Sequence, residues 1–174
     1  MGDRPASVRI RVTQARPGFH HPLGRREIRE LLAFFGPVTT YGVRSIELTR
    51  LPGDDPTTIR LATLRVPGVV LLYEQAESPW VVPGGMSETA VDRLEHARAV
   101  VSTIDSETRV EWPGETLADC MRFDGLLHEI GHHLIQHYTG KRTARVMRTA
   151  DHERRAQRFA DACRRAWVEK GGPG

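Results

Sequence analysis

FDGLLHEIGHHLIQHY, residues 123–138, sets four histidines and a glutamate inside an otherwise apolar segment. Phe123, Leu127, Ile130, Leu134 and Tyr138 recur at the three- and four-residue spacing of a single helix stripe, so the stretch predicts a helix packed on a core. At about 100° per residue, His128 and His132 lie about 40° apart, one turn above the other, with Glu129 beside them on the same flank. The pattern is H-E-x-x-H, and on a helix it lets two imidazoles hold one ion while the glutamate stands next to it.

Zinc takes neutral imidazole nitrogen readily, and a catalytic zinc site has three protein ligands and an open position for water. Water bound there loses a proton near neutral pH, so an adjacent carboxylate can act as base and then pass the proton to a leaving amine. Glu129 is placed for that task, and His128 and His132 for holding Zn2+. A third ligand is required, and Asp151, His152 and Glu153 all stand at the start of the next expected helix. The longer pattern H-E-x-x-H-x-x-G-x-x-H is excluded, because Ile135 and Tyr138 occupy its glycine and third-histidine positions. His137 projects to the far side of the helix from His132 and cannot share the ion. Around the next helix Ala156, Phe159, Ala160, Cys163 and Trp167 form the inward stripe. Glu153 borders that stripe and is favoured as third ligand, with His152 and Asp151 as alternatives.

HEIGH (128–132) followed by ERRAQRFA (153–160) resembles the gluzincin metallopeptidases, and within that clan it is most similar to the ImmA/IrrE type. The similarity covers about Thr116 to Arg165. Arg122-Phe123 ahead of the motif is also similar, though one position earlier than in the family, and Gln157 stands where the family has asparagine. The resemblance implies a small α+β fold, zinc held by His128, His132 and Glu153, and cleavage of a specific protein, often a transcriptional repressor.

Outward from this segment, SVRIRVTQ (7–14) alternates Val8, Ile10 and Val12 with arginines, the period of a half-exposed strand. GRREIRELLAFFGP (24–37) places Ile28, Leu31, Leu32 and Phe35 on one helical stripe, with Gly36-Pro37 as the stop. SIELTRL (45–51) reads as a strand, PGDDP (52–56) as a loop, and IRLATLRVPGVVLLYEQ (59–75) as a hairpin turning at Pro67-Gly68. Ser87 can cap a helix that turns Val91, Leu94, Ala97 and Val101 inward. TRVEW (108–112) is a short strand, read as a core strand rather than a peptide-binding edge. One helix is expected from Thr116–Arg122 to a stop at Gly140, and a second from about Asp151 to Gly171. Strands first and long helices last predict an α+β fold with a small antiparallel or mixed sheet packed on helices. The expected organisation is a single domain over 1–174, strand-rich over 1–112 and helical and zinc-binding over 115–170.

The supporting groups expected around the site are Asp124 or Asp161 as partners of a ligand histidine, and His133, Tyr138, His152 or Arg148 as oxyanion stabiliser. His20 and His21 read as loop residues, and His96 as the outer face of its helix. Cys120 and Cys163 are too few and too far apart for a disulfide framework and read as buried thiols. Between Lys141 and Lys170 ten basic residues meet four acidic ones, while the whole chain carries only +3. Without interleaved aromatics this segment reads as a solvated arginine face, not a nucleic-acid platform. No apolar run approaches the roughly 18 residues of a membrane span, and the first residues lack a signal peptide's apolar centre. The expectation is therefore a cytoplasmic zinc metallopeptidase acting on a protein or peptide substrate, the alternative being a catalytically silent, metal-stabilised binding or regulatory protein.

Overall fold

A computed structural model of the chain describes residues 7–53, 59–138 and 148–172. The elements run β1 (Arg9–Val12), β2 (Phe19–His20), α1 (Arg25–Phe35), α2 (Pro37–Thr40), β3 (Ser45–Thr49), β4 (Ala62–Arg65), β5 (Val69–Tyr73), β6 (Gln75–Ala76) and β7 (Trp80–Pro83). They continue as α3 (Glu88–His96), β8 (Val100–Ile104), β9 (Glu107–Glu111), α4 (Thr116–Cys120), a π-helical segment (Met121–Leu127), α5 (His128–Tyr138) and α6 (Ala150–Glu169). The fold is mixed α+β, with small sheets packed against helices, as the order of periodic segments predicts.

The principal sheet has the order β1-β3-β5-β4, with β1, β3 and β5 parallel and β4 antiparallel to β5. VVLLY is apolar at its first four positions because both faces of β5 are at least partly covered, with β3 and β4 on its two edges. The β4–β5 hairpin pairs Leu64 with Val70, as the Pro67-Gly68 turn predicts. Among the described residues, β4 forms one edge of this sheet, and α5 packs against it. On α1, Ile28, Leu31 and Leu32 are buried, and Gly36, at φ 61°, ends the helix in a conformation that favours glycine.

The second sheet is antiparallel in the order β7-β9-β8. Ser87 Oγ accepts a hydrogen bond from the Ala90 amide, so α3 begins where expected. It ends sooner, at His96. Val101 lies on β8 opposite Val110, not on the helix. Arg98 at φ 67° reverses the chain, and the β-branched pair Val100-Val101 is better accommodated on a pleated surface than in a continuing helix. In this sheet β7 and β9 bury alternate residues while β8 is mostly exposed, and only β9, which carries TRVE, sets charged residues between its buried positions clearly enough to read in isolation.

Thr116 to Tyr138 is helical throughout, but not uniformly α. Over Met121–Leu127 the turns widen, and the His128 amide donates to Phe123 O, five residues back. The expected stop at Gly140 lies outside the described residues. In α6, Ala156, Ala160, Cys163 and Trp167 are buried as the stripe predicts, and Arg154, Arg155, Arg158 and Arg165 are exposed. Cys120 and Cys163 are free and buried. Among the described residues no helix is long and apolar enough to cross a membrane.

Helices α5 and α6 approach closely at Gly131, where a Cβ would meet Ala156 Cα and O at 3.1 Å and Phe159 Cδ1 at 3.2 Å. A bulky side chain there must push α6 away. Gly131→Leu is expected to cost about 1–3 kcal/mol of overpacking, lowering the melting temperature by roughly 2–10 °C. An unchanged thermal transition would show that the helices do not need this contact.

Candidate metal centre

Helix α5 is buried nearly all round, so its polar side chains must find partners inside the protein. Three of the site's residues converge. His128 Nε2 lies 3.2 Å from His132 Nε2 and 3.2 Å from Glu153 Oε2, and His132 Nε2 lies 3.3 Å from Glu153 Oε1. These form a group able to hold a metal ion. One donor atom from each residue lies within 4.8 Å of the other two, and each imidazole Nε2 meets a different oxygen of Glu153.

The protonation pattern agrees. Gln157 Nε2 donates to Asp124 Oδ1 at 3.1 Å and to Asp161 Oδ1 at 3.0 Å, which turns its Oε1 toward His128 Nδ1 at 3.1 Å. An acceptor there requires the hydrogen on Nδ1, leaving the Nε2 lone pair to face the other two donors. Burial, reinforced by the nearby Arg148 guanidinium, pushes the His132 pKa down to about 4, so its imidazole is neutral and able to ligate at neutral pH. Burial opposes the Glu153 charge, but the imidazoles of His132 and His128 and the guanidinium of Arg148 outweigh it and hold the carboxyl below its ordinary value.

Of the three candidates for third ligand, Glu153 alone joins the histidines. Asp151 is exposed and pairs with Arg154 at 3.4 Å. His152 gives its backbone amide to the Thr149 cap and does not belong to the metal-binding group. Asp124 and Asp161, expected to touch a ligand histidine directly, act one step further out, on Gln157. Asp124 is itself paired with Arg164.

Glu129 is buried beside the triad. Its Oε2 accepts from the Leu64 amide of β4 at 2.8 Å and from Arg148 Nη2 at 2.7 Å. Arg148 also reaches Glu153 Oε1 at 3.5 Å, bridging the two carboxylates. Of the other proposed oxyanion groups, His133 points away, with Nε2 on Tyr41 O at 3.1 Å, and the Tyr138 side chain lies outside the described residues. His137 packs edge-on against the Tyr41 ring on that same far side, as the helical wheel requires.

The centre opens into a cleft of about 1120 Å³ bounded by Ile59–Ala62, the α3 face with Ala90 and Leu94, and α6. Sequence reasoning missed the Leu64 amide, the bridging role of Arg148 and the orienting role of Gln157. Only the last left a signal, because Gln157 lies four residues after Glu153 on the same helix face. Comparison with known proteins finds no matching family model, curated protein or solved structure.

Two measurements probe this geometry. Gln157→Leu removes the acceptor that sets the His128 tautomer and is expected to weaken metal binding by roughly 10–100-fold in competition with a chelating dye. Equal affinity would separate Gln157 from the metal site. The metal-free protein should lose stability as pH falls from about 6.5 to about 4. In that window the unfolded His132 takes up its proton while the folded one resists, so the unfolded state binds more protons. Identical denaturation midpoints at pH 7 and pH 5 would contradict it.

Proposed function

We propose that the protein is a zinc-dependent metallopeptidase of the gluzincin kind, most similar to the ImmA/IrrE type, with His128, His132 and Glu153 as ligands and Glu129 as general base. The observation that carries this reading is the convergence of the three donors at metal-ligand spacing with Glu129 buried alongside. A ligand triad alone would suit several divalent ions and several chemistries. A carboxylate held next to it, in a cleft large enough for a polypeptide segment, favours hydrolysis.

When bound, zinc supplies Lewis acidity and an open coordination position at which water is activated near neutral pH. The chain's own groups do the rest. Leu64 N–H and Arg148 hold Glu129 by Oε2, which leaves Oε1 to take the proton from the attacking water. The water oxygen bonds to the peptide carbonyl carbon, the C–N bond breaks, and Glu129 returns the proton to the departing amine. A peptide substrate is supported by β4. The Tyr73 amide bonds to Leu61 O, so alternation turns the main-chain groups of Ala62 away from β5 toward the cleft, next to the Leu64 amide that holds Glu129. An extended chain can add to such an edge through main-chain hydrogen bonds. TRVEW cannot serve in this way, because β9 is the central strand of its sheet.

Purified protein is expected to carry close to one zinc per chain by elemental analysis. Glu129→Gln should keep that metal while peptide-library cleavage, followed by mass spectrometry, falls by at least about 10²-fold. Undiminished cleavage by that variant would remove Glu129 from the mechanism.

A further inference from the structure

Edge strand β8 lies in the second sheet and contributes no residue to the metal centre. Native edge strands usually discourage pairing with charge, proline, a bulge or a cover. AVVSTI, residues 99–104, has neither a charge nor a proline. Its outer edge pairs with no strand among the described residues. Two of its side chains are among the most exposed large apolar groups of the protein, Val100 at 56% and Ile104 at 66%.

The register indicates what can cover it. Asp105 and Ser106, at φ 49° and 66°, form the two-residue turn between Ile104 and Glu107. In such a hairpin the flanking residues form a hydrogen-bonded pair. By alternation Ile104, Ser102 and Val100 turn their amides toward β9, and Val101 and Thr103 turn theirs outward. The outward hydrogen-bonding groups are therefore placed symmetrically about Ser102, and so are the exposed apolar side chains.

We propose that β8 is a homodimer contact, in which two copies pair antiparallel about a two-fold axis at Ser102. Val101 of each copy then exchanges both main-chain hydrogen bonds with Thr103 of the other. Val100 faces Ile104 across the axis, twice, on the face where both are solvent-exposed in the single chain. The six strands form one continuous sheet, β7-β9-β8 joined to its symmetry mate. A second copy suits this edge because the strand complements itself and sets no like charges opposite each other. With the contact centred on one strand pair, the interface falls at the small end, below about 1,200 Å², and dissociation on the order of micromolar is expected.

Sedimentation equilibrium over a range from below one to a hundred micromolar tests the pairing on the full chain. The wild type should pass from 19.6 kDa toward twice that mass. The double variant Val100→Lys with Ile104→Lys sets lysine against lysine at both cross-strand positions and should stay monomeric over the whole range. Val100→Glu with Ile104→Lys sets opposite charges against each other in this register and should still associate. Both changed positions point to solvent, so thermal unfolding is expected to stay near wild type and serves as the folding control. A wild type that is monomeric at a hundred micromolar overturns the proposal. So does a dimer that the two-lysine variant leaves intact, or a failure of the two double variants to differ while both remain folded.

Discussion

The approach of α6 to α5 at Gly131 is the constraint on which the candidate metal centre depends. Glu153 belongs to a different helix from the two histidines, and it reaches both of their Nε2 atoms only because no side chain stands between Gly131 and the backbone of Ala156. The buried stripe of Ala156, Ala160, Cys163 and Trp167 sets which face of α6 turns inward, so Glu153 and Gln157 arrive on the flank nearest His128. Core packing and site geometry thus share one helix–helix contact.

Burying the polar side chains of α5 is costly unless each is answered, and the partners come from every side of the helix. β4 supplies the Leu64 amide to Glu129, α6 supplies Gln157 to His128, and the Tyr41 carbonyl receives His133. The two faces of α5 therefore do different things with the same residue type. Toward the cleft, the imidazoles of His128 and His132 meet the Glu153 carboxylate, and the Gln157 amide turns the His128 Nε2 lone pair toward it. Away from it, His133 and His137 pack against Tyr41 and stitch the helix to the loop after α2.

The π-helical segment ahead of α5 sets how Arg122 and Phe123 meet the core. A turn closed by a bond from residue 128 back to residue 123 takes in one residue more than an α-turn. The helix continues through the widened turn without a break. Phe123 stays in the core, and Arg122 is buried with its guanidinium over the Trp167 ring.

Much of this was legible in the chain itself because helical periodicity is a local property. The pairing of His128 with His132, the inward stripe of α6 and the buried face of α1 each follow from spacing along a single element. The α3 boundary did not, since the left-handed turn at Arg98 and the pairing of Val101 with Val110 are settled by contact with another strand. The third donor of the candidate metal group was determined by the sequence only down to three neighbouring residues. The choice of Glu153, the transfer of Asp124 and Asp161 to an outer position behind Gln157, and the bridging of Glu129 to Glu153 by Arg148 were decided by tertiary structure. Distances between separate helices and strands depend on how closely their backbones pack, and no periodicity within one element encodes that.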